Sequence, residues 1–351
     1  MNVASRICVL AVCCAVLLPG GARAQDPVHL WSVDYGNNEF QYAYDVAVDD
    51  AGNVVAVGGF YGDLYIGCAW LERTPSTDAF VVKFDGDGGC LWGKSFGDAA
   101  TRQSATHVAI DNAGNVIVAG SFEETTDFGG GELASTGGFN MFLVKLDAQG
   151  NHLWSRRYGD ADELTLGEIN GLAVDDSSEV VMTGSFAGTL DFGGGPLASA
   201  GGLDMFVVKL DEDGNHQWSR SFGGAAQQTP KSVDVDGDGN IVATGFFSGE
   251  VDFDGGPLTN TSASDVFVVK LDPAGSHLWS ARYGNANAGD YHRARGVAVD
   301  GADNIVVAGE FEGDIDFGGG PLVSAGEYDV FLAQFAPTGA HVWSRRFGDE
   351  S

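Results

Sequence analysis

The sequence predicts an all-β fold, a β-propeller of five four-stranded blades, and three observations carry that expectation. Tryptophans recur at Trp31, Trp92, Trp154, Trp218, Trp279 and Trp343, spaced by 61, 62, 64, 61 and 64 residues, the mark of a repeat architecture. Between them, apolar runs of strand length alternate with turn residues, and no helical periodicity intervenes. Glycine supplies 53 of the 351 residues, which suits many short strands joined by tight turns.

The first 24 residues read as a removable export signal. Arg6 gives a short positive start, Ile7 to Leu18 an apolar run, and Ala22-Arg23-Ala24 a small-x-small cleavage site. As a membrane anchor the run is too short, since about twenty apolar residues are needed to span a bilayer. Val12 before Cys13, and Cys13 before Cys14, argue against a lipid anchor. Residues 25–351 then form a single propeller domain.

Each unit opens with an alternating segment ending in Asp, strand A, as in Val46-Ala47-Val48-Asp49 and Val108-Ala109-Ile110-Asp111. A turn such as Ala51-Gly52-Asn53 leads to a β-branched run, strand B, typified by Val116-Ile117-Val118-Ala119-Gly120-Ser121-Phe122. A Gly-rich excursion follows, then strand C (Phe142-Leu143-Val144-Lys145-Leu146-Asp147), a second turn, and strand D (His152-Leu153-Trp154-Ser155-Arg156-Arg157-Tyr158). The five repeats of about 62 residues run approximately 37–92, 93–154, 155–218, 219–279 and 280–343. One four-stranded sheet cannot bury both faces alone, so the recurring Trp and Phe are expected to pack between stacked blades.

The pattern V-A-V-D-x-x-G-N-V-V-V-A-G-S-F, then D-F-G-G-G-P-L and D-x-F-V-V-K-L-D, then G-N-H-L-W-S-R, resembles the bacterial SBBP-type β-propeller repeat and is more distantly similar to NHL repeats. The resemblance covers about Val28 to Gly348. It implies a propeller in exported or surface proteins, with no catalytic residues to carry over.

Ring closure stays open on sequence grounds. Residues 29–36 read as an extra outer-type strand, and His341 to Gly348 supply another of the same kind. In a closed ring of five, the C-terminal copy takes the outer place, because a short turn joins it to its own strand C. The alternative is an arc of a larger ring.

Charge bounds the partners. The formal net charge is −31, and loss of the signal removes two arginines and no acids. Nucleic acid and anionic membrane draw most of their affinity from Lys and Arg clusters that are missing here, so both are poor partner candidates; no nucleic-acid partner and no membrane insertion after signal removal are expected. Cys8, Cys13 and Cys14 lie in the signal, which leaves Cys68 and Cys90 as an even pair in an exported chain. Cys68 replaces the second Gly of the Gly-rich excursion and Cys90 the His of strand D in the same blade, and a disulfide between them is expected.

No metal or cofactor site is expected. Asp234, Asp236, Asp238 and Gly239 imitate the start of a calcium loop, but position 245 is Gly where a bidentate Glu is required. The aspartates read instead as turn caps. His29, His152, His216, His277 and His341 each stand two residues before a Trp, in different blades, and cannot converge on one ion. His107 and His292 fall outside that pattern. The Asp127-Phe128-Gly129-Gly130-Gly131 motif and its copies keep 20 residues between the strand B and strand C Phe in every unit, which suits a framework element.

The residues just before strand A do diverge: Tyr42 and Tyr44, Ser104 and Thr106, Glu168 and Asn170, Thr229 and Lys231, Arg293 and Arg295. Variable positions on a constant scaffold are where ligands bind. The candidate ligand-binding residues are therefore Tyr42, Tyr44, Glu168, Lys231, Arg293 and Arg295. The functional expectation is a secreted, periplasmic or cell-surface binding or scaffold module, non-catalytic, for an extracellular glycan or protein. The alternative is a carbohydrate-active hydrolase, which needs convergent carboxylates in unequal environments; no phosphate loop or strand-bound Ser nucleophile motif appears.

Overall fold

The structure, a computed structural model, describes residues 29–72, 74, 76–97, 102–159 and 167–349. The expected export signal lies outside the described residues. Among the described residues there is no helix, and five four-stranded antiparallel sheets repeat along the chain, each in the order A-B-C-D. Sheet 1 comprises Gln41–Val48, Val54–Phe60, Asp78–Phe84 and Cys90–Phe96. Sheet 2 comprises Gln103–Ile110, Val116–Asp127, Glu132–Leu146 and His152–Tyr158. Sheet 3 follows with Gly167–Val174, Val180–Phe186, Asp204–Leu210 and His216–Phe222. Sheet 4 has Gln228–Val235, Ile241–Phe247, Asp265–Leu271 and His277–Tyr283. Sheet 5 has His292–Val299, Ile305–Phe311, Asp329–Phe335 and His341–Phe347.

By compactness the chain divides into two units, one of residues 1–135 and 142–157, the other of residues 136–141 and 158–351. In the first, Val55, Val57, Ala79 and Val81 of sheet 1 pack with Val116, Val118, Phe142 and Val144 of sheet 2. In the second, Val181, Met205 and Val207 of sheet 3 meet Ile241, Ala243, Phe267 and Val269 of sheet 4. Val242, Val266 and Val268 then meet Ile305, Val307, Phe331 and Ala333 of sheet 5. In sheet 4, strands B and C are buried because sheets 3 and 5 cover them on both sides, which is why they read as continuous apolar runs.

The strand D tryptophans lock these stacks. Trp92 Nε1 donates to the Ala148 carbonyl in the C–D turn of sheet 2, at 3.0 Å. Trp218 reaches Pro273 O at 3.0 Å, and Trp279 reaches Pro337 O at 3.1 Å. Within each of sheets 1 to 4 an ion pair ties strand C to the A–B turn: Lys83, Lys145, Lys209 and Lys270 pair with Asp49, Asp111, Asp175 and Asp236 at 2.6–2.9 Å. The same aspartates cap their turns. Asp236 Oδ1 accepts from the Asp238 and Asn240 amides, and its Oδ2 accepts from the Asn240 side chain, so this aspartate of the calcium-like run closes its hairpin.

Two local differences from the sequence reading stand out. The Gly-rich excursions of sheets 3, 4 and 5 fold into two-stranded ribbons such as Thr189–Asp191 with Pro196–Ala198. Residues 29–36 form no strand. They dock on sheet 1 through side chains: Trp31 Nε1 donates to Gly86 O at 2.9 Å, and the Tyr35 ring stacks on Phe84 at 5.8 Å.

Candidate ligand-binding site

The repeat-breaking positions owe their exposure to one backbone device. In every sheet the A–B register slips once, and the residue passed over is Tyr44, Thr106, Asn170, Lys231 or Arg295. Such a bulge leaves one residue unpaired and re-aims its side chain. The bulge is paid for by a glycine in strand B. A Cβ on Gly58 would stand 1.9 Å from Tyr42 O and one on Gly309 2.2 Å from Arg293 O, so no other residue tolerates the approach.

In the second unit the bulges assemble a cationic group. Arg293 lies 4.6 Å from the centroid of the Tyr291 ring and 5.4 Å from that of Phe246, and Lys231 Nζ lies 5.8 Å from the centroid of the same Phe246 ring. These are cation–π distances. Glu310 anchors the group: its Oε1 accepts from Arg295 at 2.6 Å and lies 3.7 Å from Arg293. Arg293 Nε is enclosed without a hydrogen-bond partner among the described residues. Lys231 is half-buried, and among the described residues no hydrogen-bond or ion-pair partner is found for its ammonium. Burial first, then the positive charges of Arg295 and Arg293, lower its pKa, with Glu168 acting in the opposite sense. Two like charges beside a desolvated ammonium define a place where an anion is stabilised.

Tyr328 borders this group. Its phenol is pushed up, by desolvation first and then by the negative charge of Glu312. Glu168 is exposed and close enough for its charge to act on Lys231.

Tyr42 and Tyr44 belong to the first unit and form a cluster of their own. With Phe40 they make a ladder of near-parallel rings, 6.2 and 6.1 Å between centroids and 8° and 14° between planes. All three are exposed. The six residues proposed from sequence thus belong to two groups, four around the cations and two on the ladder.

Sequence reasoning missed Phe246, Tyr291, Glu310 and Phe40. A signal for two of them existed: the residue before the strand B Phe runs Gly59, Ser121, Ser185, Phe246 and Glu310, as variable as the bulge itself. Phe246 pairs across the ladder with Thr229, and Glu310 with Arg293.

The remaining histidines are structural. His107 Nδ1 contacts Thr106 Oγ1 at 2.9 Å. His292 is buried between Ser262 Oγ at 3.1 Å from Nδ1 and the Asp314 carbonyl at 3.2 Å from Nε2. Ser262 also donates to Asp265, which accepts from Arg282. This Ser, His and Asp are sealed from solvent. They hold a loop, as the Gln103 amide does in sheet 2 by donating to Thr125 O.

Cys68 and Cys90 are disulfide-bonded, with Cα atoms 5.6 Å apart. No helix among the described residues is long and apolar enough to cross a membrane.

No family model matches the chain. It is 25% identical over 238 residues, 56% of its length, to an uncharacterized WD repeat-containing protein of Acanthamoeba polyphaga mimivirus, and covers 17% of that protein. It is 28% identical over 176 residues, 48% of its length, to the regulatory protein FlaEY of Caulobacter vibrioides, covering 18% of it. The chain therefore spans less than a fifth of the length of these curated relatives. Among solved structures, a gluconolactonase from Xanthomonas campestris matches 76% of this chain and 68% of its own, at 16% identity and a TM-score of 0.37. A polysaccharide lyase acting on ulvan matches 91% and 71%, at 10% identity and a TM-score of 0.46.

Proposed function

We propose that this chain is a secreted, non-catalytic binding module of SBBP-type propeller repeats, and that its ligand carries an anionic group on a sugar. The observation that carries this reading is the half-buried Lys231 ammonium, which shares the Phe246 ring with Arg293 and finds no acceptor among the described residues. A carboxylate or sulfate supplies the missing acceptor, and charge-assisted hydrogen bonds to it are the strong kind. Tyr291 and Phe246 supply apolar ring surface beside the cations, the mixture of stacking and polar contact that orients a small ligand. The chain's overall acidity repels long polyanions, which favours a short oligosaccharide or a single acidic residue on a neutral glycan.

The test is a binding panel of neutral and acidic oligosaccharides, with extracellular envelope fractions, against the wild type and an Arg293→Ala/Arg295→Ala variant. Acidic sugars are expected to bind the wild type and to lose at least about tenfold in affinity with the variant, the equivalent of about 1.4 kcal/mol. Equal binding by both proteins removes the cluster as the site. Release of shortened product from any bound sugar replaces the reading with the hydrolase alternative.

A further inference from the structure

Sheet 1 departs from the repeat at its Gly-rich excursion. In sheets 3, 4 and 5 the ribbon formed there pairs Asp191 with Pro196, Asp252 with Pro257 and Asp316 with Pro321. Sheet 1 builds the same kind of ribbon from Leu64–Tyr65 and Trp70–Leu71, and at the matching place it sets Tyr65 opposite Trp70. The two rings lie 5.2 Å apart between centroids and 42° from parallel. Tyr65 is 49% exposed and Trp70 67%.

This exposure does not depend on what precedes sheet 1. Asp252, Pro257, Asp316 and Pro321 are exposed as well, although sheet 3 packs ahead of sheet 4 and sheet 4 ahead of sheet 5. A preceding sheet therefore leaves this place on the ribbon open.

The base of the ribbon is rebuilt to match. In sheet 3, Asp191 Oδ1 accepts from the Gly193 and Gly195 amides, and His216 Nε2 contacts Ser219 Oγ at 3.0 Å. Sheet 1 carries Tyr65, Cys90 and Gly93 at the positions of Asp191, His216 and Ser219, so both contacts are lost. Other contacts replace them. Cys68 is bonded to Cys90, the Tyr65 hydroxyl donates to the Gly67 carbonyl, and Ile66 is buried over Gly93, 2.1 Å from where a Cβ would stand. Two exposed rings on a covalently fixed base are preorganised for a ligand.

Size and charge select the occupant. At 150–250 Å² for each aromatic side chain, the exposed part of the pair amounts to roughly 250 Å², whereas a stable protein interface takes about 800 Å² from each partner. The exposed Leu91 recurs as Leu153 and Leu278 in sheets without a ring pair, so it belongs to strand D and not to this patch. Two rings 42° from parallel form an open V, which meets the face of one guest ring but does not enclose a cation. Phosphate-bearing guests are disfavoured by the net charge of −31. A small neutral ring with an apolar C–H face and a rim of hydroxyls satisfies each of these conditions.

We infer that Tyr65 and Trp70 form a second binding site, which takes a neutral sugar unit by stacking its C–H face on the indole. The inference goes beyond the anionic-sugar reading and does not rest on it, because neither residue belongs to the cationic group.

The experiment is isothermal titration of cellotetraose, xylotetraose and mannotetraose into the wild type, Tyr65→Asp/Trp70→Pro, Trp70→Ala and Lys231→Met, with melting curves for each protein. The double variant restores the pair found in the other ribbons and so keeps the ribbon while removing both rings. Trp70→Ala changes one exposed side chain and gives the same answer should the double variant melt early. The wild type is expected to bind at least one of these sugars saturably, both ribbon variants at least about tenfold more weakly, and Lys231→Met as tightly as the wild type. Absence of saturable binding by the wild type, or equal binding by the ribbon variants, would overturn the inference. Loss of the neutral sugar in Lys231→Met would overturn it too, by moving that sugar to the cationic group. So would binding to phosphatidylcholine vesicles that needs the two rings, with no sugar bound.

Discussion

Cys68 and Cys90 are bonded in sheet 1 at the two positions where Gly130 and His152 are stacked in sheet 2. A Cβ on Gly130 would stand 2.0 Å from His152 Cε1, and the same glycine-on-imidazole contact recurs at Gly194 with His216 and at Gly255 with His277. Sheet 1 has exchanged a packing contact for a covalent one. Closing a segment with a separation of 22 residues restricts the unfolded chain, and such a bond contributes about 3 kcal/mol. Reduction is expected to lower the melting temperature of the wild type. A Cys68→Gly/Cys90→His variant should melt above the reduced wild type, because it restores the stack, and scanning calorimetry with and without reductant checks both.

The stack itself is testable in sheet 3. Gly194→Ala places a methyl 2.0 Å from His216 Cε1, and overpacking of this kind costs about 1–3 kcal/mol. Adding His216→Ala removes the obstacle, so the double variant should lose less than the sum of the two single changes in denaturant titrations.

The buried ion pairs set the acid limit of stability. Asp49 is desolvated, but hydrogen bonds from Asn53 and Lys83 outweigh that and bring its pKa down to about 2; Asp111, Asp236 and Asp300 are lowered for related reasons. A carboxylate with a depressed folded-state pKa contributes stability above its unfolded pKa and loses it as pH falls through the folded value. Unfolding is therefore expected between pH 3.8 and about 2. Asp45 and Asp234 act in the opposite sense. Each is raised by burial, accepting from Val108 N and Val299 N respectively, and their contribution falls away as pH rises through the folded value. Lys145→Met leaves Asp111 buried and unpaired, at a cost of about 3–5 kcal/mol. Lys145→Gln should cost less, since Gln334 serves Asp300 in sheet 5 at 3.3 Å. Chemical denaturation across pH measures both.

Asp204 lacks a partner that its counterparts have. Asp265 accepts from Arg282 and Asp329 from Arg346, each at 2.6 Å, but sheet 3 carries Ser221 at that position. Asp204 Oδ1 is left buried without a hydrogen bond, and desolvation raises its pKa. Ser221→Arg is expected to stabilise the protein by about 1 kcal/mol, the net value of a typical added hydrogen bond, with the gain largest at neutral pH and shrinking in acid. A gain that does not depend on pH would show that the new arginine acts by packing alone.

How much of this was legible in the sequence follows from what a repeat displays. Strand order and turn chemistry show because the Asp that opens the A–B turn and the Gly of the C–D turn recur in all five sheets. The two-stranded ribbons were hidden because strands of three residues fall below any readable alternation. Residues 29–36 carry a strand D pattern yet form no strand, since a D strand takes its backbone hydrogen bonds from the C strand of its own repeat. Only the side-chain half of the pattern, Trp31 and Tyr35, finds its place. At the site, Lys231 and Arg295 were visible as breaks in the repeat. Phe246 and Glu310 were not, because they reach the cations from strand B, and which residues face each other depends on a register that a bulge shifts.

The most direct test is isothermal titration of a short acidic oligosaccharide, trigalacturonate, into the wild type and Lys231→Met. The cationic group accounts for a saturable isotherm in the wild type that weakens by about tenfold or more when the unpaired ammonium is removed. An isotherm unchanged in Lys231→Met, or a steady heat of turnover in place of saturation, would contradict it.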